Sequence, residues 1–221
     1  MTVPVFGRVS TLPEVLNIYD NFGLEELRDN VIELVLKKHP NPLVIDCGVN
    51  VGITVRWWLR LNLQGRVIGV DMLHESIEFA SASIRSGPHA EDSKRFQGLE
   101  GALYSEEGVE FEVAFDNPLH GNNSLFGAHG NKLTRRKLKS TTLDHLVGDV
   151  QDSSVTLLKI DLEGAGGKAL AGATKLLGKT NHVVFESHSE MECREASRVL
   201  FQEGFLMRRV ATKNTWWERA A

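Results

Sequence analysis

The chain has 221 residues, with 29 acids against 25 Lys and Arg, a formal charge of -4 and 24% charged residues. A chain of this length buries roughly 70% of its unfolded surface, ample for one α/β domain and tight for two, so a single domain over 1–221 is expected. The mild acidity attracts neither a phosphate backbone nor an anionic membrane, and no stretch approaches the roughly 20 apolar residues of a membrane span. The first ten residues also lack a basic start followed by an apolar core, so the expectation is a cytoplasmic protein without nucleic-acid or membrane partners. Cys47 and Cys193 are the two cysteines and read as reduced, structural thiols.

Thr11, Pro13 and Glu14 form an S/T-x-x-E capping box with proline in the first turn, which predicts a helix running to about Asn21. A second helix is predicted over Leu24–Lys38, where Leu24, Leu27, Val31, Leu34 and Val35 recur at helical spacing and Lys37 and Lys38 close the last turn. These helices, within residues 1–40, cover a sheet edge or roof a ligand. From residue 41 on, strands alternate with helices. Strands are expected at Leu43–Asp46, Arg66–Asp71, within Arg95–Leu103, at Val155–Asp161 and at His182–Ser187. Helices are expected at Thr54–Leu63, Ser76–Arg85, Lys168–Leu177 and Glu192–Glu203, and a closing hairpin at Phe205–Val210 and Thr215–Glu218. Runs that are apolar throughout suit strands buried on both faces of a parallel sheet. The predicted fold is therefore α/β: a doubly wound, mostly parallel seven-stranded sheet with a C-terminal antiparallel hairpin. The rhythm breaks at about 112–140, where Asn122, Asn123, Ser124, Gly127, His129 and Gly130 precede the basic run Arg135–Lys139. So many turn formers predict an insertion of loops, with room for a strand pair, placed to choose a substrate. Of the adjacent pairs Trp57–Trp58 and Trp216–Trp217, one member each is expected in the core.

The first strand ends in Asp46, Gly48, Asn50 and Gly52, and Asp71 follows nineteen residues later at the end of the next strand. Glycines there let backbone approach a ligand, the helix start offers unpaired N–H groups, and Asp71 is placed to accept from a ribose diol. A nicotinamide or flavin site would show G-x-G-x-x-G, whose middle glycine admits pyrophosphate. The pattern D-x-G-x-N-x-G instead resembles motif I of S-adenosylmethionine-dependent methyltransferases, whose ligand has a charged amino-acid end and no phosphate.

Four further segments extend that resemblance. Thr141 to Asp144, Lys159 to Ala165, Leu170 to Ala173 and Glu186 to His188 follow in order, and with motif I they look like the FkbM family of S-adenosylmethionine-dependent methyltransferases over about residues 43–205. The sequence departs from that family at Gly166, where a second glutamate is usual. The resemblance implies a Rossmann-like methyltransferase fold, S-adenosylmethionine as cofactor and O-methylation of a hydroxyl on a small molecule or sugar. Asp46, Gly48, Asn50, Gly52 and Asp71 are then the expected cofactor contacts, with Glu100 and Ala102 as candidates near the adenine. Asp161 and Glu163 end the fourth strand of the core and Glu186 and His188 the fifth, so these four are the candidate catalytic residues, His188 as the proton acceptor. Asp161 pairing with Lys159, or Glu163 capping the next helix, is the structural alternative. The same four side chains have the chemistry to meet at a divalent cation, but their spacing carries no metal-ligand pattern, and no metal is assigned. A nicotinamide oxidoreductase and a non-catalytic module that binds S-adenosylmethionine are the alternative functions.

Overall fold

The computed structural model describes residues 2–3, 6–127, 134–148 and 154–220. His129 and Gly130 of the expected insertion lie outside the described residues. In chain order the elements are β1 (Thr2–Val3), β2 (Gly7–Arg8), α1 (Leu12–Ile18), α2 (Asn30–Lys38), β3 (Leu43–Cys47), α3 (Ile53–Leu61), β4 (Arg66–Asp71), α4 (His74–Ser86), β5 (Phe96–Glu100) and β6 (Ala102–Leu103). They continue with β7 (Glu110–Phe115), β8 (Thr134–Thr141), α5 (Leu143–Leu146), β9 (Val155–Ile160), α6 (Gly166–Ala171), α7 (Thr174–Leu177), β10 (Thr180–Glu186), α8 (Glu190–Gln202), β11 (Phe205–Ala211) and β12 (Asn214–Arg219).

Seven of these strands make the main sheet, in the order β11-β12-β10-β9-β3-β4-β5. The four pairings from β10 to β5 are all parallel, and β12 joins β10 and β11 antiparallel. The chain leaves β3 toward β4 and β5, then returns to build β9 and β10 on the other side. That reversal opens a crevice at the carboxyl ends of β3 and β9, where ligands bind in sheets of this kind. Both central strands are buried along their whole length, as their unbroken apolar runs require. One face packs Ile45, Leu158, Ile160, Phe185 and Trp217 with residues from α6, α7 and α8. The other packs Val44, Leu157, Val184 and Trp216 with α2, α3 and α4.

Several expectations change in the folded chain. Trp216 and Trp217 are both 1% exposed, because β12 is an inner strand with covered faces, so both belong to the core. Trp58 is buried while Trp57 rests half-buried against Phe22. The second helix starts only at Asn30, where the Asp29 carboxylate accepts from Val31 and Ile32 N–H groups. Its buried face carries Ile32 and Leu36, whereas Val31 and Leu34 of the predicted apolar stripe stay exposed. The first helix passes into a π-helical turn over Tyr19–Gly23. The helix expected at Lys168–Leu177 begins earlier, at Gly166, and breaks at Gly172. A Cβ on Gly166 would stand 2.7 Å from Phe185, and one on Gly172 would stand 2.5 Å from the Tyr104 carbonyl oxygen. Close packing of α6 thus outweighs the low helix propensity of two glycines. The insertion contains a strand pair, β7 with β8, and the basic run lies on β8. Arg135 meets Glu112, and Arg136 forks onto Glu75 of α4.

The N-terminal segment is fastened by one buried ion pair. Glu14 completes the capping box with Thr11 and lies 2.6 Å from Arg56 of α3, which also donates to the Phe6 and Arg8 carbonyls. Both side chains are almost wholly buried. Removing one partner leaves an uncompensated buried charge, a loss of about 3–5 kcal/mol. Urea denaturation of Arg56→Met is expected to show a loss of that size, and the Glu14→Gln/Arg56→Met double variant is expected to recover part of it.

Candidate active site

A cavity of about 890 Å³ opens at the carboxyl ends of β3, β4, β9 and β10. Small-molecule sites span roughly 300–1,000 Å³, so this one has room for a nucleoside cofactor and a second ligand together. Three walls meet there. The sheet contributes Gly48, Asn50, Asp71, Lys159, Asp161, Glu163 and Glu186; the 117–125 loop contributes Asn117, His120 and Asn123; the N-terminal segment contributes Leu12, Leu16, Asn17, Asp20 and Leu24. The first helix and the turn after it therefore roof the cavity, whereas α2 packs against the sheet core.

Gly48 has φ +86, and a Cβ there would fall 1.9 Å from the Asp161 carbonyl oxygen, so only glycine lets β3 and β9 approach this closely at their ends. Asn50 follows in the left-handed region at φ 48, which asparagine tolerates. Its N–H donates to Asp71 Oδ2 at 2.9 Å, and the Leu73 N–H donates to Oδ1 at 3.0 Å. Burial pushes the Asp71 carboxyl up to about 6, against the pull of those two N–H groups and of Lys159. The side-chain oxygens of Asn50 and Asn123 are buried and lack a hydrogen-bond partner among the described residues.

Behind this wall, Lys159 Nζ lies 3.3 Å from Asp46 Oδ1 and 3.2 Å from Asp161 Oδ2, and it donates to the Gly48 carbonyl at 3.1 Å. Burial opposes its charge, but Asp46 and Asp161 outweigh burial and keep the ammonium protonated. Trp58 Nε1 donates to Asp46 Oδ2 at 3.0 Å.

At the far end, His188 sits among three carboxylates. Its Nε2 is 3.1 Å from Asp161 and 3.9 Å from Glu186, and its Nδ1 is 3.3 Å from Glu163. Burial disfavours the imidazolium, yet the Asp161 hydrogen bond and the charges of Glu163, Asp161 and Glu186 raise His188 to about 9. Burial, reinforced by the Asp161 charge, lifts Glu163 and Glu186 each to about 7. Burial acts on Asp161 too, but Lys159 and His188 prevail and hold it down. Glu163 has φ 47 and is followed by Gly164 at φ 101. Ser124 Oγ donates to the Glu163 carbonyl at 2.6 Å, so the 117–125 loop holds this turn in place.

The cavity thus brings together Gly48, Asn50, Asp71, Asp161, Glu163 and Glu186, whereas five other residues singled out in the sequence do not line it. Asp46 is fully buried beneath it, on Lys159 and Trp58. Gly52 starts α3, where a Cβ would stand 2.6 Å from that of Ala80. Strand alternation turns Glu100 and Ala102 away: Glu100 is exposed and pairs with His74, Ala102 packs in a core with Leu73 and Val113, and Gly101 and Leu103 face the cavity instead. His188 stands behind Asp161 and Glu163, and as an imidazolium near neutral pH it has no lone pair with which to take a proton. Glu192 carried no signal in the sequence beyond its place in the first turn of α8. Its carboxylate accepts from the Gly166 and His188 N–H groups at 2.8 Å each, and its Oε1 is 3.0 Å from where a Gly166 Cβ would lie. A buried acid therefore occupies the space beside Gly166. Among the FkbM-like segments, Thr142 and Asp144 are helix caps: Thr142 starts α5 and Asp144 accepts from the Lys175 and Leu176 N–H groups of α7.

The family model described as the methyltransferase FkbM domain matches residues 46–207. The chain belongs to the FkbM methyltransferase family. Its fold is shared with methyltransferases of solved structure. FkbM from Methylobacillus flagellatus superimposes with a TM-score of 0.57 at 12% identity, over 92% of this chain and 60% of that one. The O-methyltransferase from Bacillus cereus, solved in complex with S-adenosylhomocysteine, gives 0.56 at 13% identity, over 97% and 92%. Precorrin-6y C5,15-methyltransferase from Geobacter metallireducens gives 0.50 at 8% identity, over 85% and 83%. No curated protein sequence matches the chain significantly. The chain spans 60% of the length of the Methylobacillus protein.

S-adenosylmethionine is the cofactor of this family, and the residues present fit it. Asp71 offers a carboxylate to vicinal hydroxyls, the Gly48 turn gives backbone access, and the unpartnered Asn50 oxygen suits a cationic donor group. Protonation of Asp71 removes an acceptor, so cofactor binding should be strongest above about pH 6 and weaken as pH falls through that value. Calorimetric titration with S-adenosylmethionine between pH 5 and 8 checks this, and Asp71→Asn should bind weakly at every pH with a flattened profile.

Proposed function

We propose that this methyltransferase transfers its methyl group to a hydroxyl oxygen of a small molecule. One observation carries the reading: the cavity that presents Asn50 and Asp71 at one end presents Glu163 and Glu186 at the other. When bound, S-adenosylmethionine supplies an electrophilic methyl carbon on a sulfonium. Asn50 and Asp71 orient the cofactor, and the N-terminal roof and the 117–125 loop exclude water above it. A hydroxyl directed at the far end meets carboxylate acceptors, and Glu163, held by Ser124 from one side and His188 from the other, is assigned as the group that takes its proton. Alignment of two bound reactants can lower a barrier by roughly 7–11 kcal/mol, so placement supplies much of the rate.

Six acids line the cavity, Asp20, Glu26, Asp71, Asp161, Glu163 and Glu186, against Lys159 and Lys213. That balance suits a neutral or cationic acceptor and opposes a phosphodiester backbone, which supports a small molecule over nucleic acid. Leu12, Leu16 and Leu24 add apolar contact at the mouth. Their share in the cavity supports reading residues 1–221 as one functional unit. Glu192 beside Gly166 leaves the catalytic end intact, which favours turnover over a binding-only role. Among the described residues no helix is long and apolar enough to cross a membrane.

Single-turnover methyl transfer to a panel of hydroxylated small molecules tests the reading. Loss of a positioned base lowers rates about 10²–10⁴-fold, so Glu163→Gln should lose that much turnover while binding S-adenosylmethionine as the parent does. Equal loss of cofactor affinity would reassign Glu163 to binding, and no transfer by the parent to any hydroxyl would overturn the reading.

A further inference from the structure

We propose that Asp161, Glu186 and His188 form a divalent-cation site on the floor of the cavity. One donor atom from each lies within 4.8 Å of the others. The three come from adjacent strand ends: β9 and β10 pair in parallel with Ile160 opposite Phe185, which sets Asp161 beside Glu186. Oxygen and nitrogen donors of a small divalent ion bind at about 2.1 Å, so neighbouring donors in an octahedral shell stand about 3 Å apart. His188 Nε2 is already 3.1 Å from Asp161 Oδ1, and Glu186 Oε1 lies 3.9 Å from the same nitrogen, about 1 Å beyond that spacing.

Two observations outside the triad point the same way. A histidine that ligates a metal hands its other ring N–H to a carboxylate, and His188 Nδ1 faces Glu163 Oε2 at 3.3 Å. Asp161 and Glu186 also line the cavity, so the remaining coordination positions face the space for the acceptor, as in catalytic sites that combine three protein ligands with an open position. Four carboxylates, Asp46, Asp161, Glu163 and Glu186, stand here against Lys159, Lys213 and the ring of His188, and a divalent ion would replace the imidazolium proton as their counter-charge. Two carboxylates and one imidazole suit manganese or magnesium better than a thiophilic metal, and the Cys47 thiol is fully buried in the sheet core. Bound there, the ion would accept the acceptor's oxygen as a ligand and make its O–H easier to deprotonate. That use rests on the proposed function, whereas occupancy of the site does not.

The test is titration of the chelator-stripped full-length protein with Mn²⁺ alone, followed by loss of the free-ion electron paramagnetic resonance signal. One saturable Mn²⁺ per chain is expected, lost in Asp161→Asn and Glu186→Gln and weakened about 10–100-fold in Glu163→Gln, with nitrogen hyperfine coupling from one imidazole. Circular dichroism and binding of S-adenosylmethionine by each variant report on its fold. No saturable binding by the parent at millimolar Mn²⁺, or binding that survives both carboxylate changes, overturns the site and leaves His188 as an imidazolium clamp. A protein that takes Mn²⁺ but transfers no methyl group keeps the site and sinks the proposed function instead.

Discussion

The site is organised by one buried ammonium group. Lys159 stands at the point where the strand order reverses, between Asp46 on β3 and Asp161 past the end of β9, and donates to the carbonyl of Gly48. A charge so deep is tolerated only with partners of opposite sign in good geometry. Its three contacts join the Gly48 turn to the carboxylate cluster at the ends of β9 and β10. The contact is also why Asp46 lies under the cavity floor. Its carboxylate is taken up by Lys159 and by the Trp58 indole, and Asn50 and Asp71 are left to face the cavity.

From that strut outward, the site is a graded electrostatic field. Asp161 is held ionised by Lys159 and His188, and burial together with the Asp161 charge lifts Glu163 and Glu186 toward neutrality. Three carboxylates therefore have different proton affinities within a few ångströms. Glu192 supports the arrangement from below by accepting the His188 N–H, and Ser124 supports it from above through the Glu163 carbonyl.

Much of this was legible in the residues. Motif I and Asp71 pointed to one wall of the cavity, because glycine at a strand-to-helix turn and an acid ending the next strand have few other uses together. Lys159 to Glu163 and Glu186 pointed to the wall beside it in the same way. What remained hidden is contact across sequence distance. Glu192 is 26 residues from the backbone it caps at Gly166, and Arg56 is 42 residues from Glu14. The apolar stripe of the second helix was misread because Val31 and Leu34 repeat at helical spacing yet face solvent, while Asp29 sets the true start. Glu100 and Gly101 show how fine the margin is in a strand, since one step along the chain exchanges the exposed side for the cavity side.

The π-helical turn at Tyr19–Gly23 fits one residue more into its hydrogen-bonded ring than an α-turn does. The widened turn rephases everything after it, so Asn17 before the widening and Asp20, Asn21 and Leu24 within or just beyond it share one aspect of the roof. Shortening the segment by a residue would restore ordinary pitch and swing Leu24 roughly 100° about the axis. The shape of the roof is thereby tied to helical phase as well as to side-chain identity, so a single-residue insertion or deletion there would reshape the mouth of the cavity.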